Sequence, residues 1–229
     1  MLYAILSHRR SVRSYTDEKP DAALREEILQ YLNGTTGIPG QTARFRIITA
    51  QEMGNDMAPY YVVASCEKAD AAYANVGFVM EKLDLWLQDK GLGSLWYGMK
   101  LPKVSEADDC IVMAFGFTEV PQRTEESSFK RLPLEKISDT DNAVARAVRL
   151  APSAVNSQPW TLKFEENSLT LTLTGRGLLR LKLEKKLNKI DLGIALRFAV
   201  TALEHEGKRI AEIRPNTDGK AFSITVKYE

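Results

Sequence analysis

Two cysteines and two histidines in 229 residues leave little material for a metal centre or a disulfide framework. Cys66 and Cys110 lie far apart, and neither sits in a Cys-x-x-Cys or histidine-rich context. A reduced, cytoplasmic chain is the simplest expectation. Long apolar runs are missing as well. No stretch approaches the roughly 20 apolar residues of a membrane span, and the one ahead of His8-Arg9-Arg10 is too short for a signal peptide. An excess of charge is also lacking: the net charge is +1, which offers no general attraction for nucleic acid or an anionic membrane. Any basic site must be local. What is present is an ordinary globular composition, 44% hydrophobic and 27% charged, on a chain long enough to bury a sizeable core.

The apolar pattern contains a repeat. Tyr73 to Lys90 places Val76, Val79, Met80, Leu83, Trp86 and Leu87 at helical spacing, and Phe78 and Leu85 add a second stripe. Leu192 to Leu203 does the same, with Asp191 as its expected N-cap. Gly77 and Gly193 are 116 residues apart, as are Gly91 and Gly207. Upstream, a helix around Glu27–Leu32, a turn-rich run Asn33–Gln41 and a strand Phe45–Thr49 are copied as helix Ala143–Leu150, loop Ala151–Gln158 and strand Thr161–Phe164. Agreement of both order and offset points to duplication with divergence. Further strands are expected at Tyr60–Ala64 and Ile111–Phe117, with hairpins from Leu162–Glu165 to Leu169–Leu173 and from Lys208–Ile213 to Ala221–Tyr228. The sum is an α+β chain with buried central helices and mixed sheets. A half of about 115 residues with a helix buried on several faces would expose too much apolar surface alone.

Four segments can carry chemistry. In Arg9-Arg10-Ser11-Val12-Arg13, alternation places Arg9, Ser11 and Arg13 on one side, a fit for a phosphate monoester or simply a solvated basic terminus. Pro152-Ser153-Ala154-Val155-Asn156-Ser157-Gln158-Pro159-Trp160 combines small residues with two amides that suit a polar ring edge; it also reads as an ordinary loop before a core tryptophan. Gly91-Leu92-Gly93-Ser94-Leu95-Trp96-Tyr97-Gly98 follows a helix, so it is not a dinucleotide fingerprint, and Gly91 terminates that helix whatever else it does. Lys130-Arg131 completes a phosphate clamp or forms a surface charge pair ahead of Pro133.

In this order the four segments resemble the nitroreductase-like FMN-dependent oxidoreductases, and the Pro152–Trp160 loop is the most specific of them. The resemblance implies a nitroreductase-like fold and FMN held at the phosphate by Arg9, Arg10, Ser11, Arg13, Lys130 and Arg131. Pro152, Ser153, Ala154, Asn156 and Gln158 would flank the ring's polar edge, and backbone amides of Trp96, Tyr97 and Gly98 would run beside its reactive face. It also implies NADH or NADPH as transient reductant and a small organic electron acceptor in a ping-pong cycle. Dehydrogenation, dehalogenation and non-catalytic flavin binding belong to the same set of expectations. No dedicated acid or base stands out, and His8 and His205 read as surface residues.

Family members of this kind pair two chains around each flavin. Here the phosphate motif and glycine stretch occur only in residues 1–137, and the intact Asn/Gln loop only in residues 138–229. The expectation is therefore two fused pseudo-symmetric halves, one complete site and a monomeric pseudo-dimer, with no metal.

Overall fold

Two long helices cross at the centre of the molecule, and their sequences explain why they can. The computed structural model describes residues 2–98, 100–175, 186–219 and 221–229. Short helix α1 (Tyr3–Leu6) precedes α2 (Ala22–Asn33), β1 (Arg44–Thr49), α3 (Ala50–Met53), β2 (Tyr60–Ser65), α4 (Asp70–Asp89), β3 (Leu92–Trp96) and β4 (Asp109–Phe117). Then come α5 (Ala143–Arg149), β5 (Trp160–Glu165), β6 (Ser168–Leu173), α6 (Leu187–His205), β7 (Ile210–Asn216) and β8 (Ser223–Tyr228). The central pair is α4 and α6. A Cβ on Gly77 would lie 2.0 Å from Ile190 O, and one on Gly193 would lie 1.9 Å from Ala74 O. Each helix thus gives up a side chain where the other's backbone passes. The two contacts are the same contact 116 residues on: Ala74 to Ile190, Gly77 to Gly193. Both helices end on a left-handed glycine, Gly91 (φ 79°) and Gly207 (φ 78°), the conformation glycine adopts without steric cost.

Apolar residues clothe the crossing on all sides. Val76, Phe78, Val79, Leu83 and Leu85 of α4 are buried, as are Ile190, Leu192, Ile194, Leu196 and Phe198 of α6. At roughly 1.5–3 kcal/mol for each large side chain withdrawn from water, this shared core is what neither half could bury alone.

Each half carries a four-stranded antiparallel sheet, in the orders β1-β2-β4-β3 and β5-β6-β8-β7, so the strands follow the same sequence in both. Both sheets are thus antiparallel and not mixed as expected, and among the described residues parallel pairing is confined to the isolated bridges Ser11–Ser94 and Ser138–Leu162. The expected hairpins are present: Glu165 faces Ser168, and Asn216 faces Ser223. The sheets differ in cover. In β6 and β8 burial alternates, one face on the core and one toward solvent. The first sheet is buried on both faces, because Tyr61, Val63, Val112 and Ala114 form a second apolar cluster with Ile48, Met53 and Leu95.

The helix expected to begin at Leu192 with Asp191 as cap begins instead at Leu187, so Asp191 lies inside its second turn. The polar residues Asn188, Lys189 and Asp191 had masked the helical pattern there. The caps that do form include Asp21 on α2, accepting from Leu24 N, a Thr49–Glu52 capping box on α3, and Asn142 on α5, accepting from Ala145 N. No described helix is long and apolar enough to cross a membrane.

Candidate functional site

The chain's N-terminal segment lies along the edge of β3: Ser11 bridges Ser94, and Val12 N–H donates to Ser94 O at 2.8 Å. Gly93 permits the approach, since a Cβ there would stand 2.7 Å from Val12 Cγ1. This register turns Ser11 and Arg13 onto a cleft. Leu95, Trp96, Gly98 and Ile111 line it from the first half. Pro152, Ser153, Ala154 and Val155 line it from the loop before β5, and Leu187, Asp191 and Ile194 from α6. Residues distant in the chain thus build one cavity with an aromatic and aliphatic body and few polar groups, the usual make-up of a small-molecule site.

Behind Trp96 lies a buried polar network. Glu81 Oε2 accepts from Trp96 Nε1 (2.8 Å), which fixes the indole at the cleft wall. Arg9 Nε donates to Asp84 Oδ2 (2.8 Å), Ser94 Oγ donates to Asp84 Oδ1, and Gln88 Nε2 donates to the same oxygen (3.1 Å). Two buried acids face one arginine. Burial and the neighbouring Asp84 hold the Glu81 carboxyl well above the usual carboxylate range, against the pull of Arg9. Arg9 is therefore turned inward and is not on the cleft wall.

Beside this network arginines crowd together. Burial, and then repulsion from Arg9, Arg123 and Arg149, pushes Arg131 down to about 10. Arg123 is lowered too, by burial and then by Arg10 and Arg9. Arg9 Nη2 and Arg123 Nε are buried N–H groups with no hydrogen-bond partner among the described residues. Spare guanidinium donors in a mutually repelling group fit an anion with several acceptor oxygens, such as a phosphate monoester.

The loop before β5 is held in an uncommon shape. Val155, Asn156 and Gln158 have φ of 48°, 58° and 46°, and Val155 is β-branched and 63% exposed. Left-handed backbone at such a residue costs of order 1–3 kcal/mol unless its surroundings impose it. The surroundings here are a clasp. Asn156 Nδ2 donates to Lys130 O (2.6 Å), Arg131 Nη1 donates to Asn156 Oδ1 (2.7 Å), and Leu132 N–H donates to Gln158 Oε1 (2.9 Å). The loop's other anchor is α6: Ala154 N–H donates to both Asp191 oxygens, at 3.0 and 3.1 Å.

Of the residues expected at the site, Ser11, Arg13, Trp96, Gly98, Pro152, Ser153 and Ala154 meet around the cleft. Asn156, Gln158 and Arg131 spend their side chains on the clasp, and Lys130 takes part through its carbonyl. Tyr97 N–H donates to Val112 O and its hydroxyl accepts from Asn55, so neither group is turned to the cleft. Arg10 donates to Pro121 O. Sequence reasoning missed Asp191, Arg123 and Glu81. The available signal was acids at helical spacing inside otherwise apolar runs, Glu81 and Asp84 in one helix and Asp191 in the other.

The family model described as "Putative TM nitroreductase" matches residues 1–202. Among solved structures, a "putative nitroreductase" from Thermotoga maritima shares 22% identity and a TM-score of 0.73, covering 99% of this chain and 93% of that one. A nitroreductase family protein from Clostridium difficile is 18% identical with a TM-score of 0.50, covering 59% of this chain and 95% of its own. An FMN-dependent nitroreductase from Clostridium difficile is 17% identical with a TM-score of 0.47, covering 60% of this chain and 98% of its own. None of the curated proteins matches this sequence.

Proposed function

The chain belongs to the TM nitroreductase family, and on that premise we propose that it is an FMN-dependent NAD(P)H oxidoreductase with one site per chain. The observation that carries the reading is the cleft built jointly by Ser11 and Arg13 of the first half and Pro152–Ala154 of the second. The donors of Arg9 and Arg123 without a partner among the described residues lie behind the cleft wall rather than on it, and their charge, with that of Arg131, would favour the cofactor's phosphate. Trp96, Leu95, Ile111 and Ile194 suit the flat face of a ring system, and the small residues Gly98 and Ala154 allow its close approach. When bound, FMN supplies two-electron hydride chemistry, taking from NADH or NADPH and giving to a small organic acceptor in a ping-pong order.

The chain's own residues bind and orient. Ser11 and Arg13, expected at the phosphate, would here offer a hydroxyl and a guanidinium to the ring's polar edge. The clasp keeps Ser153 and Ala154 in place through Asn156 and Gln158, and the Glu81 carboxyl keeps the Trp96 indole fixed. The aliphatic wall excludes water. We also propose that the halves, 1–137 and 138–229, arose by duplication and that the chain is a monomer, because each half supplies part of a single cleft. Light scattering of the eluting protein should give one chain per particle.

The deciding experiment is to titrate FMN into the purified protein and mix the complex with NADH or NADPH anaerobically. Bleaching of the bound flavin supports the oxidoreductase. Flavin that binds but is never bleached makes the chain a binding protein, and a chain that takes up no FMN overturns the reading altogether.

A further inference from the structure

Asp191 is 3% exposed, yet it faces the cleft. A buried carboxylate is costly without compensation, and among the described residues its hydrogen-bond donor is the Ala154 N–H. The first half shows what this position needs for structure alone. Asn75, 116 residues earlier on α4, accepts from Ile38 N–H at 2.7 Å, and Ile38 is likewise 116 residues before Ala154. An amide therefore anchors the loop adequately. The second half places an ionisable group at the equivalent position, on the wall of the cleft. Burial pushes its pKa up to about 8, opposed among the described residues by the Ala154 N–H, which favours the protonated carboxyl near neutrality.

We propose that Asp191 is the proton donor of this cleft, supplying to the acceptor the proton that accompanies each hydride. The inference rests on the oxidoreductase reading above. In the step, a bound reduced flavin would supply the hydride, and an acceptor such as a quinone would be reduced by it. The new bond forms with the hydride's electron pair, and the acceptor's π pair moves to its oxygen. That oxygen takes the Asp191 proton, the broken O–H bond leaves its pair on the carboxylate, and water restores the proton. Among the described residues of the cleft wall, Arg13 is the other charged side chain. Glu81 of α4 reaches the cleft only through Trp96, and Lys189 of α6 is turned to Asp70 at 3.4 Å. The loop and β3 add no titratable group to the wall.

Asp191→Asn tests the proposal, because Asn75 shows that the loop bond survives an amide. On FMN-loaded protein, stopped-flow oxidation by p-benzoquinone should slow about 100-fold, the scale of a lost general acid. It should also lose its decline through pH 8, a change that a merely structural role would not produce. Independently of activity, infrared difference spectra of flavin-free wild type should show, besides any band of the buried Glu81 carboxyl, a protonated carboxyl band that vanishes as pH rises through about 8. The band should be absent in Asp191→Asn. An unchanged pH profile in the variant, or the same band persisting in it, overturns the donor role alone. A wild type that binds no FMN overturns the functional reading and the donor role with it, and the infrared band still reports whether Asp191 holds its proton.

Discussion

At Ile38 the first half hangs a loop on Asn75; at Ala154, 116 residues later, the second half hangs its own loop on Asp191. The bond is the same and its chemistry is not. Around the first bond the chain relaxes: the left-handed position is a glycine, Gly40, with φ 77° and open space where a Cβ would stand. Around the second, the equivalent left-handed residue is Asn156, which spends its side chain clasping Lys130 and Arg131, with Val155 strained beside it. One scaffold thus carries an undemanding loop and a demanding one. Strain, a buried ionisable group and the cleft wall gather on the second, which is where a site would be expected to depart from local preference.

The comparison breaks most visibly at the helix crossing, where the halves should be equivalent. Gly77→Ala and Gly193→Ala should each cost about 3 kcal/mol or more, because the new methyl meets backbone rather than a movable side chain. Urea denaturation should return similar losses; one tolerated and one not would end the pseudo-symmetry.

Next in size is an exchange at the loop anchors. A carboxyl whose folded pKa is raised to about 8 makes the fold lose stability as pH rises from the unfolded value toward 8. The slope is at most about 1.4 kcal/mol per pH unit. Asp191→Asn should abolish this decline and raise the melting temperature at pH 8 more than at pH 5. Asn75→Asp should create a similar decline in the first half. Calorimetry at both pH values reads each.

Smaller is the clasp. Asn156→Gly keeps the left-handed backbone but loses two side-chain hydrogen bonds, and should cost about 1–2 kcal/mol. FMN retention should fall with it, measured by equilibrium dialysis. The smallest effect is expected at exposed Val155. Val155→Asn, a residue that accepts positive φ more readily, should gain about 0.5–1 kcal/mol in thermal denaturation. A loss there would mean that the valine side chain has a contact of its own.

Much of the frame was legible in the residues, because it rests on local periodicity. The glycines at 77, 91, 193 and 207, the hairpin turns and the order of helix, loop and strand all repeat at readable distances. The site was legible only where small and basic residues cluster in sequence, as in Arg9–Arg13 and Pro152–Ala154. Nothing local tells that Arg9 turns to Asp84, 75 residues away, or that Arg123 joins Arg131. Asn156 and Gln158 looked like ligand groups because free amides on a loop do. The geometry employs them to hold backbone that a valine would otherwise resist. Asp191 was hidden by its neighbours, since a polar stretch at a helix's first turns resembles a cap.

The glycine crossing also bears on how the chain assembles. Its contacts join Gly77 to Ile190 and Gly193 to Ala74, so the core closes between residues more than a hundred positions apart. Hairpins and single helices can form early, but the loop-closure entropy of that long span must be overcome before the crossing rewards it. During synthesis the apolar flanks of α4 stand exposed until α6 has left the ribosome. A nascent chain halted before Leu187 is therefore the species most prone to aggregate or to engage a chaperone.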